Sequence, residues 1–345
     1  MRRIKLRIIF FAGGTLGHIT PAIYLVNQIK QRYPNSYIIF AATNKDKSYE
    51  IINHSKCDKV IYFECYSTNF NIKKQLLNFK TYQQIKKVIT EENIKIAYGF
   101  GGYISGIGIF AASNLDLYIY IHEQNSVMGK ANKLSSKKAN KVFLSFPMKQ
   151  KYNNFELVGS PVYHKASQVK KQVYKEKNKV LFTSGTLGAK VINQLAVNLS
   201  VGHYLDNFKV TIITGKRYYE DVKKLVKNYN IEVKAFSNNL IEEIASSEIV
   251  ISRAGSSTLF EIIGTNTLSI VIPSPNVTNN HQYYNALYFS DLKCLEMINE
   301  EDLTINNFLN CFNNLINSKH IYYDNIKKLK MENVIDKMIG VLNNE

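Results

Sequence analysis

The segment Phe10–Ala22, FFAGGTLGHITPA, decides the fold of the first half of the chain. It joins a short apolar run to two glycines, Gly13 and Gly14, and then to a stretch with helical spacing of apolar residues. Glycines after a strand let the backbone turn sharply into a helix, whose first N–H groups carry a partial positive charge. The segment predicts a βα unit that can hold an anion, although it matches neither GxGxxG nor GxxxxGK[ST]. A tight turn without a ligand is the alternative.

Short apolar runs alternate with helical patterns along the rest of the chain, for example over Ala22–Arg32 and Asp221–Asn228. The predicted strands are Lys5–Phe11, Tyr37–Ala41, Val60–Glu64, Ile94–Tyr98, Leu117–His122, Lys141–Phe146, Glu156–Val158, Lys179–Thr183, Phe208–Ile213, Ile231–Ala235, Ile249–Ile251 and Ser269–Ile272. Strands that alternate with helices pair in parallel, so we predict an α/β fold of doubly wound parallel sheets.

These strands are too many for one sheet of usual size. A break falls at Gly159-Ser160-Pro161, and the lysine-rich stretch after it, Lys165–Lys179, has the composition of a linker. We therefore predict a first domain over residues 1–160, a second over 161–325, and a helical tail over 326–345 that can pack back on the first. The strand–glycine pattern recurs at the start of the second domain, and Thr-Leu-Gly occurs at both 15–17 and 186–188.

The net charge of the chain indicates which kinds of partner it can bind. Lys and Arg outnumber Asp and Glu by 44 to 27, a net charge of +17 over 345 residues. Such an excess suits nucleic acid, an anionic membrane surface or phosphorylated substrates. The sequence contains no recognisable nucleic-acid-binding motif, so we predict no nucleic-acid partner, and binding through charge alone stays the alternative from another class. The four cysteines are widely spaced and match reduced thiols rather than a metal or redox motif.

Two further loops in the first half follow predicted strands. Tyr98–Gly108, YGFGGYISGIG, contains five glycines. The strand that ends at His122 leads directly into Glu123, Gln124 and Asn125. Ligand-binding residues gather at the carboxyl ends of parallel strands, so both loops are candidate sites. Close helix–sheet packing and a hydrogen-bonded turn are the alternatives.

The second half carries a candidate anion site in Ile249–Gly264, ISRAGSSTLFEIIG. Hydroxyl and backbone donors at a helix N-terminus bind phosphate, and an acidic residue one turn in can accept hydrogen bonds from ribose. The pattern Thr258-x-x-Glu261 also matches a capping box, which needs no ligand. A fifth segment, Ile272–Ala286, carries polar amides that suit the hydroxyls of a sugar.

Taken in order, these segments resemble the MurG family of peptidoglycan glycosyltransferases, which belongs to glycosyltransferase family 28 and adds N-acetylglucosamine to lipid I. The matching motifs are AGGTLGHITPA, GFGGYISG, HEQNSVMGKANK, GSPV, SGTLGAK, RAGSSTLFE and HQYYNA. The resemblance implies the GT-B architecture, with two Rossmann-like domains facing across a cleft. It also implies an inverting transfer that needs no metal and no cofactor, and the sequence contains no Asp-x-Asp motif.

The resemblance implies UDP-N-acetylglucosamine as donor and a polyprenyl-pyrophosphate-linked muramyl peptide as acceptor, attacked through its 4-hydroxyl. His18 would be the general base and Glu123 a helper, with Glu261 on the ribose and Ser237 near uracil. The implied donor-binding residues are Thr15, Leu16, Gly17, Asn125, Thr186, Ser237, Arg253, Gly255, Ser256, Ser257, Thr258, Glu261, His281, Gln282 and Asn285. The implied acceptor-binding residues, which would hold the diphosphate of the lipid, are Gly13, Gly14, Gly101, Gly102 and Tyr103.

Three positions depart from the family pattern: Leu16 and Leu187 in the two glycine loops, and Tyr163 where an arginine is usual. They leave the acceptor open, and a diacylglycerol glycosyltransferase is the alternative enzyme. The stretch near Phe70–Lys87 interleaves apolar residues with lysines and predicts peripheral contact with the cytoplasmic face of the cell membrane. An amphipathic helix packed on its own domain is the alternative.

Overall fold

The computed structural model describes residues 6–67, 71–149, 152–185, 188–227, 230–329, 331 and 333–344. Within these residues, thirteen strands form two parallel sheets. The strands are β1 Arg7–Phe11, β2 Tyr37–Thr43, β3 Lys59–Phe63, β4 Ile96–Gly99, β5 Tyr118–Glu123, β6 Lys141–Leu144, β7 Phe155–Leu157, β8 Lys179–Thr183, β9 Lys209–Ile213, β10 Ile231–Lys234, β11 Ile249–Ser252, β12 Leu268–Val271 and β13 Glu296–Met297.

Helices connect the strands, as βαβ units require. They are α1 Leu16–Arg32, α2 Glu50–Asn53, α3 Ile72–Glu91, α4 Gly102–Ala112, α5 Lys130–Ser135, α6 Pro161–Lys170, α7 Lys190–Val201, α8 Tyr219–Leu225, α9 Leu240–Ser246, α10 Ser256–Gly264, α11 His281–Asp291, α12 Ile305–Asn317, α13 Lys319–Lys328 and α14 Val334–Gly340. The predicted parallel α/β fold is confirmed, and each of the twelve predicted strands is present with shifts of a few residues at its ends.

Residues 1–161 and 332–345 form the first compact unit. Its seven strands lie in the order β3-β2-β1-β4-β5-β6-β7 and are all parallel. The chain runs outward from β1 in one direction and then returns to add β4 on the other side. This reversal between β1 and β4 is the topological switch point, where loops at the carboxyl ends of parallel strands bind ligands.

The first helix begins earlier than its sequence pattern suggested. We expected helical structure from Ala22, but α1 begins at Leu16 and contains Pro21. Its buried face starts at Ile19 and continues through Ile23 and Val26. Burial of this apolar face outweighs the one backbone hydrogen bond that proline removes. The glycine loop is therefore short, and its last residues form the first turn of the helix.

Residues 162–331 form the second unit. Its six parallel strands lie in the order β10-β9-β8-β11-β12-β13, so its switch point lies between β8 and β11. The edge strand β13 was missed because it has only two residues and shows no sequence periodicity. The linker predicted over Lys165–Lys179 is wrong: α6 covers its first part, and Lys179 is a buried strand residue whose Nζ donates to Glu176 at 3.0 Å and Ser246 at 2.8 Å.

Of the predicted tail 326–345, residues 332–345 belong to the first unit and residues 326–331 to the second. Val334, Ile335, Met338 and Ile339 of α14 are buried, and the hydroxyl of Tyr98 on β4 donates to the carbonyl oxygen of Met338 at 2.6 Å. None of the helices in the described ranges has the length and hydropathy of a membrane span.

Candidate active site

Two glycine loops meet at the switch point of the first unit, one after β1 and one after β4. Gly102 has φ +81°, and a Cβ there would overlap the carbonyl oxygen of Gly13. Gly101 has φ +104°, and a Cβ there would lie 2.9 Å from His18 Nε2. Both positions need glycine for their backbone conformation and for the close approach of the two loops. The two loops therefore lie in contact within this unit, which supports the prediction that they contribute to one site.

His18 lies in the first turn of α1, against the second glycine loop. Its Nδ1 is 3.1 Å from the carbonyl oxygen of Gly13 and 3.4 Å from the hydroxyl of Thr15. A carbonyl oxygen only accepts, so this contact assigns the proton of the neutral imidazole to Nδ1 and the lone pair to Nε2. The side chain is half-buried. A half-buried imidazole in this tautomer can take a proton at Nε2 from a hydroxyl group.

Asp46 lies beside the first glycine loop, and the sequence analysis missed it. Its carboxylate accepts the N–H of Gly14, with Oδ1 at 3.0 Å, and both the N–H and the hydroxyl of Thr43. Asp46 is 1% exposed to solvent. Gly14 stays a predicted acceptor-binding residue, and in this structure its N–H donates to Asp46. The pattern Thr43-x-x-Asp46 after a strand was the available signal, since it matches a capping box.

Glu123, at the end of β5, is 1% exposed and accepts four hydrogen bonds. Oε1 accepts from the N–H of Asn125 at 2.9 Å and from its side-chain amide at 3.4 Å. Oε2 accepts from the N–H of Gly129 at 3.0 Å and from the side-chain amide of Asn132 at 2.9 Å. These contacts order the loop that carries Asn125 and favour a positioning role for Glu123 over the helper role in proton transfer that we expected.

His122, one residue earlier, is fully buried. Its Nε2 lies 3.0 Å from the hydroxyl of Ser145 and 3.3 Å from the carbonyl oxygen of Gly159. Burial lowers its pKa to about 4, because the interior disfavours the charged imidazolium. His122 is therefore neutral at physiological pH and stabilises the end of the first unit.

Gln124 Nε2 donates to the carbonyl oxygen of Phe100 at 2.6 Å, which connects this motif to the second glycine loop.

The glycine loop after β8 opens the candidate site of the second unit. Gly188 has φ +73°, and a Cβ there would overlap the carbonyl oxygen of Thr214, which follows β9. Thr186, which the resemblance placed near the nucleotide, lies outside the described residues, as does Leu187, a departure from the family pattern. The close contact at Gly188 draws this loop against the loop after β9 at the carboxyl edge of the sheet.

The helix α10 begins at the other side of this switch point. Its N-cap is Gly255, which supplies no side chain to cap the helix. Ser256 is buried, and Ser257 and Thr258 are half-buried within the first turn. The capping-box alternative is wrong, because Thr258 lies inside the helix and not at its N-cap. The first turn of α10 thus combines backbone donors with three hydroxyl side chains, as an anion site requires.

Glu261 lies one turn further along α10 and is 7% exposed. Burial raises the pKa of its carboxyl group to about 7, and the nearby charge of Lys165 opposes this shift. A buried carboxylate has lost most of its hydration. New hydrogen-bond donors would therefore stabilise its ionised form. The two hydroxyls of a ribose can supply them.

Arg253, one of the predicted donor-binding residues, is held by contacts within its own unit. Its Nη1 donates to the carbonyl oxygens of Ile272 at 3.1 Å and Pro273 at 3.2 Å, and lies 2.5 Å from a carboxylate oxygen of Glu300. These contacts tie the end of β11 to the end of β12 and pair the guanidinium with an acidic residue. Carbonyl and carboxylate oxygens are thus the acceptors of Nη1 in this structure.

The last predicted segment forms the start of α11. His281 is the first residue of the helix, and its Nδ1 lies 2.8 Å from the carbonyl oxygen of Thr278. Gln282 Oε1 accepts the N–H of Ser274 at 2.9 Å, which ties the helix to the loop after β12. Asn285 is buried one turn on. All of them follow β12, so they lie at the same carboxyl edge as the first turn of α10.

Ser237 follows β10 and lines a groove of about 410 Å³ along α9. Its hydroxyl accepts the N–H of Asn239 at 3.3 Å.

Within the ranges that the structure describes, no group of three or more His, Cys, Asp or Glu side chains has the arrangement of a metal site. The candidate anion donors are the first turn of α10 and its hydroxyls.

Both halves of the sequence match Glycosyltransferase family 28. Residues 8–144 match its N-terminal domain and residues 179–338 its C-terminal domain. A Pediococcus pentosaceus protein, named UDP-N-acetylglucosamine--N-acetylmuramyl-(pentapeptide) pyrophosphoryl-undecaprenol N-acetylglucosamine transferase, is 30% identical over 98% of this chain and 99% of its own length. A Bacillus cytotoxicus protein of the same name is 31% identical over 88% of each chain.

Solved structures share the fold. A crystal structure of Acinetobacter baumannii MurG is 19% identical, with a TM-score of 0.79 over 99% of this chain and 100% of that one. A UDP-GlcNAc 2-epimerase from Methanocaldococcus jannaschii is 12% identical, with a TM-score of 0.62 over 92% and 94% of the two chains. At these identities the likeness bears on the fold alone, and it confirms the GT-B fold with two parallel-sheet domains.

Proposed function

The chain belongs to glycosyltransferase family 28, and from this premise we propose that it transfers N-acetylglucosamine from UDP-N-acetylglucosamine to a lipid-linked muramyl acceptor in peptidoglycan synthesis. The observation that carries the proposal is the match, over nearly its whole length, to relatives named for this transfer. The geometry of each unit supports it, because each has polar residues gathered at the switch point of its sheet.

The second unit would bind the donor. The first turn of α10, with Ser256, Ser257 and Thr258, would hold the diphosphate of UDP, and Glu261 would accept the two ribose hydroxyls. His281 and Gln282 would face the sugar, with uracil near Ser237. As UDP leaves, negative charge grows on its β-phosphate, and oriented N–H and hydroxyl donors stabilise that charge in the transition state.

The first unit would bind the acceptor and activate its hydroxyl. His18 Nε2 would take the proton of the 4-hydroxyl while the oxygen attacks the anomeric carbon of the donor. The diphosphate of the lipid would lie at the first turns of α1 and α4, near Gly17 and Gly102, where helix N-termini attract anions. Asn125, held by Glu123, would contact the donor sugar from this side.

A surface on α3 and α4 would bring the protein to its lipid acceptor. Leu76 and Phe79 are 64% and 60% exposed, and a groove of about 370 Å³ lies between Phe79 and Phe110. Lysines interleave with these residues along α3. Apolar side chains flanked by lysines insert into an anionic leaflet. Phe70, at the start of the predicted patch, lies outside the described residues.

The test is turnover by the purified protein on vesicles. We expect UDP-N-acetylglucosamine with a polyprenyl-pyrophosphoryl muramyl peptide to yield UDP and the disaccharide lipid, with the anomeric configuration inverted. His18→Ala should lower kcat about 10²–10⁴-fold with little change in donor affinity. Turnover of UDP-glucose with diacylglycerol, and none with the muramyl lipid, would contradict the proposed acceptor. Full activity of His18→Ala would contradict only the assignment of the base.

A further inference from the structure

One peptide group connects two side chains at the first glycine loop. The carbonyl of Gly13 and the N–H of Gly14 belong to the same peptide unit. The carbonyl oxygen accepts from His18 Nδ1 at 3.1 Å, and the N–H donates to Asp46, 3.0 Å from Oδ1. The three groups therefore form a continuous chain from a buried carboxylate, through a peptide, to an imidazole.

We propose that Asp46 is a positioning residue for the general base, which it orients and makes more basic through the Gly13–Gly14 peptide. The inference rests on the proposed function, in which His18 takes the proton of the acceptor hydroxyl. A negative charge at the N–H end polarises the peptide and makes its carbonyl oxygen a stronger acceptor. The stronger bond holds the Nδ1–H tautomer and stabilises the imidazolium that forms during transfer. In serine hydrolases a carboxylate contacts the imidazole directly, whereas here a peptide group lies between them.

The local helix cap does not account for this arrangement. Asp46 closes a capping box with Thr43 at the start of the 3-10 helix Asn44–Ser48. In that box Asp46 Oδ2 accepts the N–H of Thr43 at 2.8 Å, and the Thr43 side chain accepts the N–H of Asp46. The N–H of Gly14, 3.0 Å from Oδ1 and 3.2 Å from Oδ2, is not part of the box. The bond to Gly14 joins residues 32 positions apart. A Cβ at Gly13 would lie 2.6 Å from Asp46 Oδ2, so the glycine is what allows the carboxylate to lie against this peptide.

Burial makes the charge effective. Asp46 is 1% exposed, so water screens its charge poorly. We expect a buried charge that acts through one peptide group to shift the pKa of the imidazole by about one unit. The pKa of His18 should therefore fall by about one unit when the carboxylate is replaced by an amide, and kcat should fall about tenfold because a weaker base accepts the proton less readily.

The experiment compares Asp46→Asn with Asp58→Asn. Asp58 is a matched control, since its carboxylate also accepts a backbone N–H in this unit, that of Ile38 at 2.7 Å, and pairs with Lys30. We expect Asp46→Asn to lower kcat about tenfold, with KM for both substrates within twofold, and Asp58→Asn to change neither. A change in KM alone, or an equal loss in both variants, would overturn the proposal.

A second measurement does not depend on turnover. In protein labelled with ¹⁵N-histidine, the imidazole nitrogens of His18 report its tautomer and its pKa, with His18→Ala identifying the signals. Asp46→Asn should lower that pKa by about one unit and reduce the Nδ1–H population. An unchanged pKa and tautomer would overturn the inference even if the enzyme is active. If the wild type shows the coupling but turns over no muramyl lipid, the proposed function fails and the Asp46–His18 connection stands.

A third variant covers the case in which Asp46→Asn does not fold. Thr43→Val keeps the carboxylate but removes the hydroxyl that donates to Asp46 Oδ2 at 2.6 Å. More negative charge is then available to the Gly14 N–H, so the pKa of His18 should rise. An unchanged or lowered pKa would overturn the proposal, because a merely structural carboxylate predicts loosening of the loop and no gain in basicity.

Discussion

At the scale of single residues, the side chains of the candidate donor site differ in how many hydrogen bonds and ion pairs they form within the protein. Arg253 donates from Nη1 to two carbonyl oxygens and is paired with Glu300, so these contacts connect it to its own unit. Glu261 differs, because burial raises its pKa to about 7. The buried acid is costly to ionise in the absence of ligand, and hydrogen bonds from ribose hydroxyls would offset that cost.

This contrast predicts a pH-dependent donor affinity. Ribose binds the carboxylate, so the Kd for UDP-N-acetylglucosamine should fall about tenfold between pH 6 and pH 8 as Glu261 ionises in the free protein. Glu261→Gln should weaken binding at pH 8 and remove the pH dependence, as measured by isothermal titration calorimetry. Glu220→Gln, on exposed α8, is the control and should behave as wild type. Equal pH dependence in Glu261→Gln would assign the titration to another group.

The same carboxyl group should also affect stability. Its folded-state pKa is raised, so its contribution is fully present below the unfolded pKa near 4.5 and is lost as pH rises through about 7. Glu261→Gln should therefore raise the free energy of unfolding at pH 8 by up to about 3 kcal/mol and have no such effect at pH 4. Chemical denaturation at the two pH values measures this difference. A loss of stability at pH 8 would instead indicate a structural role for the carboxylate.

At the scale of elements, α3 divides into two halves with different surroundings. Ile85 and Ile89 in its second half are buried on the first unit, as is Thr81 at its midpoint, whereas Leu76 and Phe79 nearer its start are exposed. The packed-helix alternative therefore describes only the second half. The exposed half, beside exposed Phe110 on α4, is the part that can enter a membrane surface.

The double variant Leu76→Gln/Phe79→Gln should weaken binding to anionic vesicles at least tenfold, because each side chain loses apolar burial of about 2 kcal/mol. Co-sedimentation with vesicles measures the loss, and the melting temperature should stay unchanged because both side chains are exposed. The matched control is Val201→Gln/Leu225→Gln, which removes two exposed apolar residues of the second unit. Equal loss in the control would show that binding follows general hydrophobicity and not this surface.

At the scale of the whole molecule, the chain leaves the first unit at Pro161 and returns to it at residue 332. The returning helix α14 buries Val334, Met338 and Ile339, and receives a hydrogen bond from Tyr98 at the carbonyl of Met338. The helix α14 thus contributes to the core of the first unit.

This arrangement predicts that a single truncation in α14 destabilises the first unit. Met338→Ala should lower the free energy of unfolding by about 2–5 kcal/mol, because it leaves a cavity in a closed core. Lys337→Ala on the exposed face of α14 is the control and should cost under about 1 kcal/mol. Denaturant unfolding measures both, and donor binding by the second unit should be unchanged in each. Equal small effects would show that α14 is not part of this core.

Much of the fold was predictable because it depends on local patterns. Apolar runs of strand length identified twelve of the thirteen strands in the described part of the chain, and parallel pairing follows from the intervening helices. The two-residue β13 was missed because its formation depends on pairing with β12 and not on its own composition. The placement of candidate residues at carboxyl edges followed from the same rule, since the loops after parallel strands share one edge.

The sequence by itself determined the family, the two parallel sheets and the loops that end their central strands, because these follow from short-range periodicity and from ordered motifs. Only the tertiary structure decided what each side chain does there. It brought Asp46 to Gly14 across 32 residues, fixed Arg253 between strand ends, left Thr258 inside α10 and buried Glu261. Hydrogen-bond partners and burial depend on which distant segments meet, and such contacts leave no periodic signal in the chain.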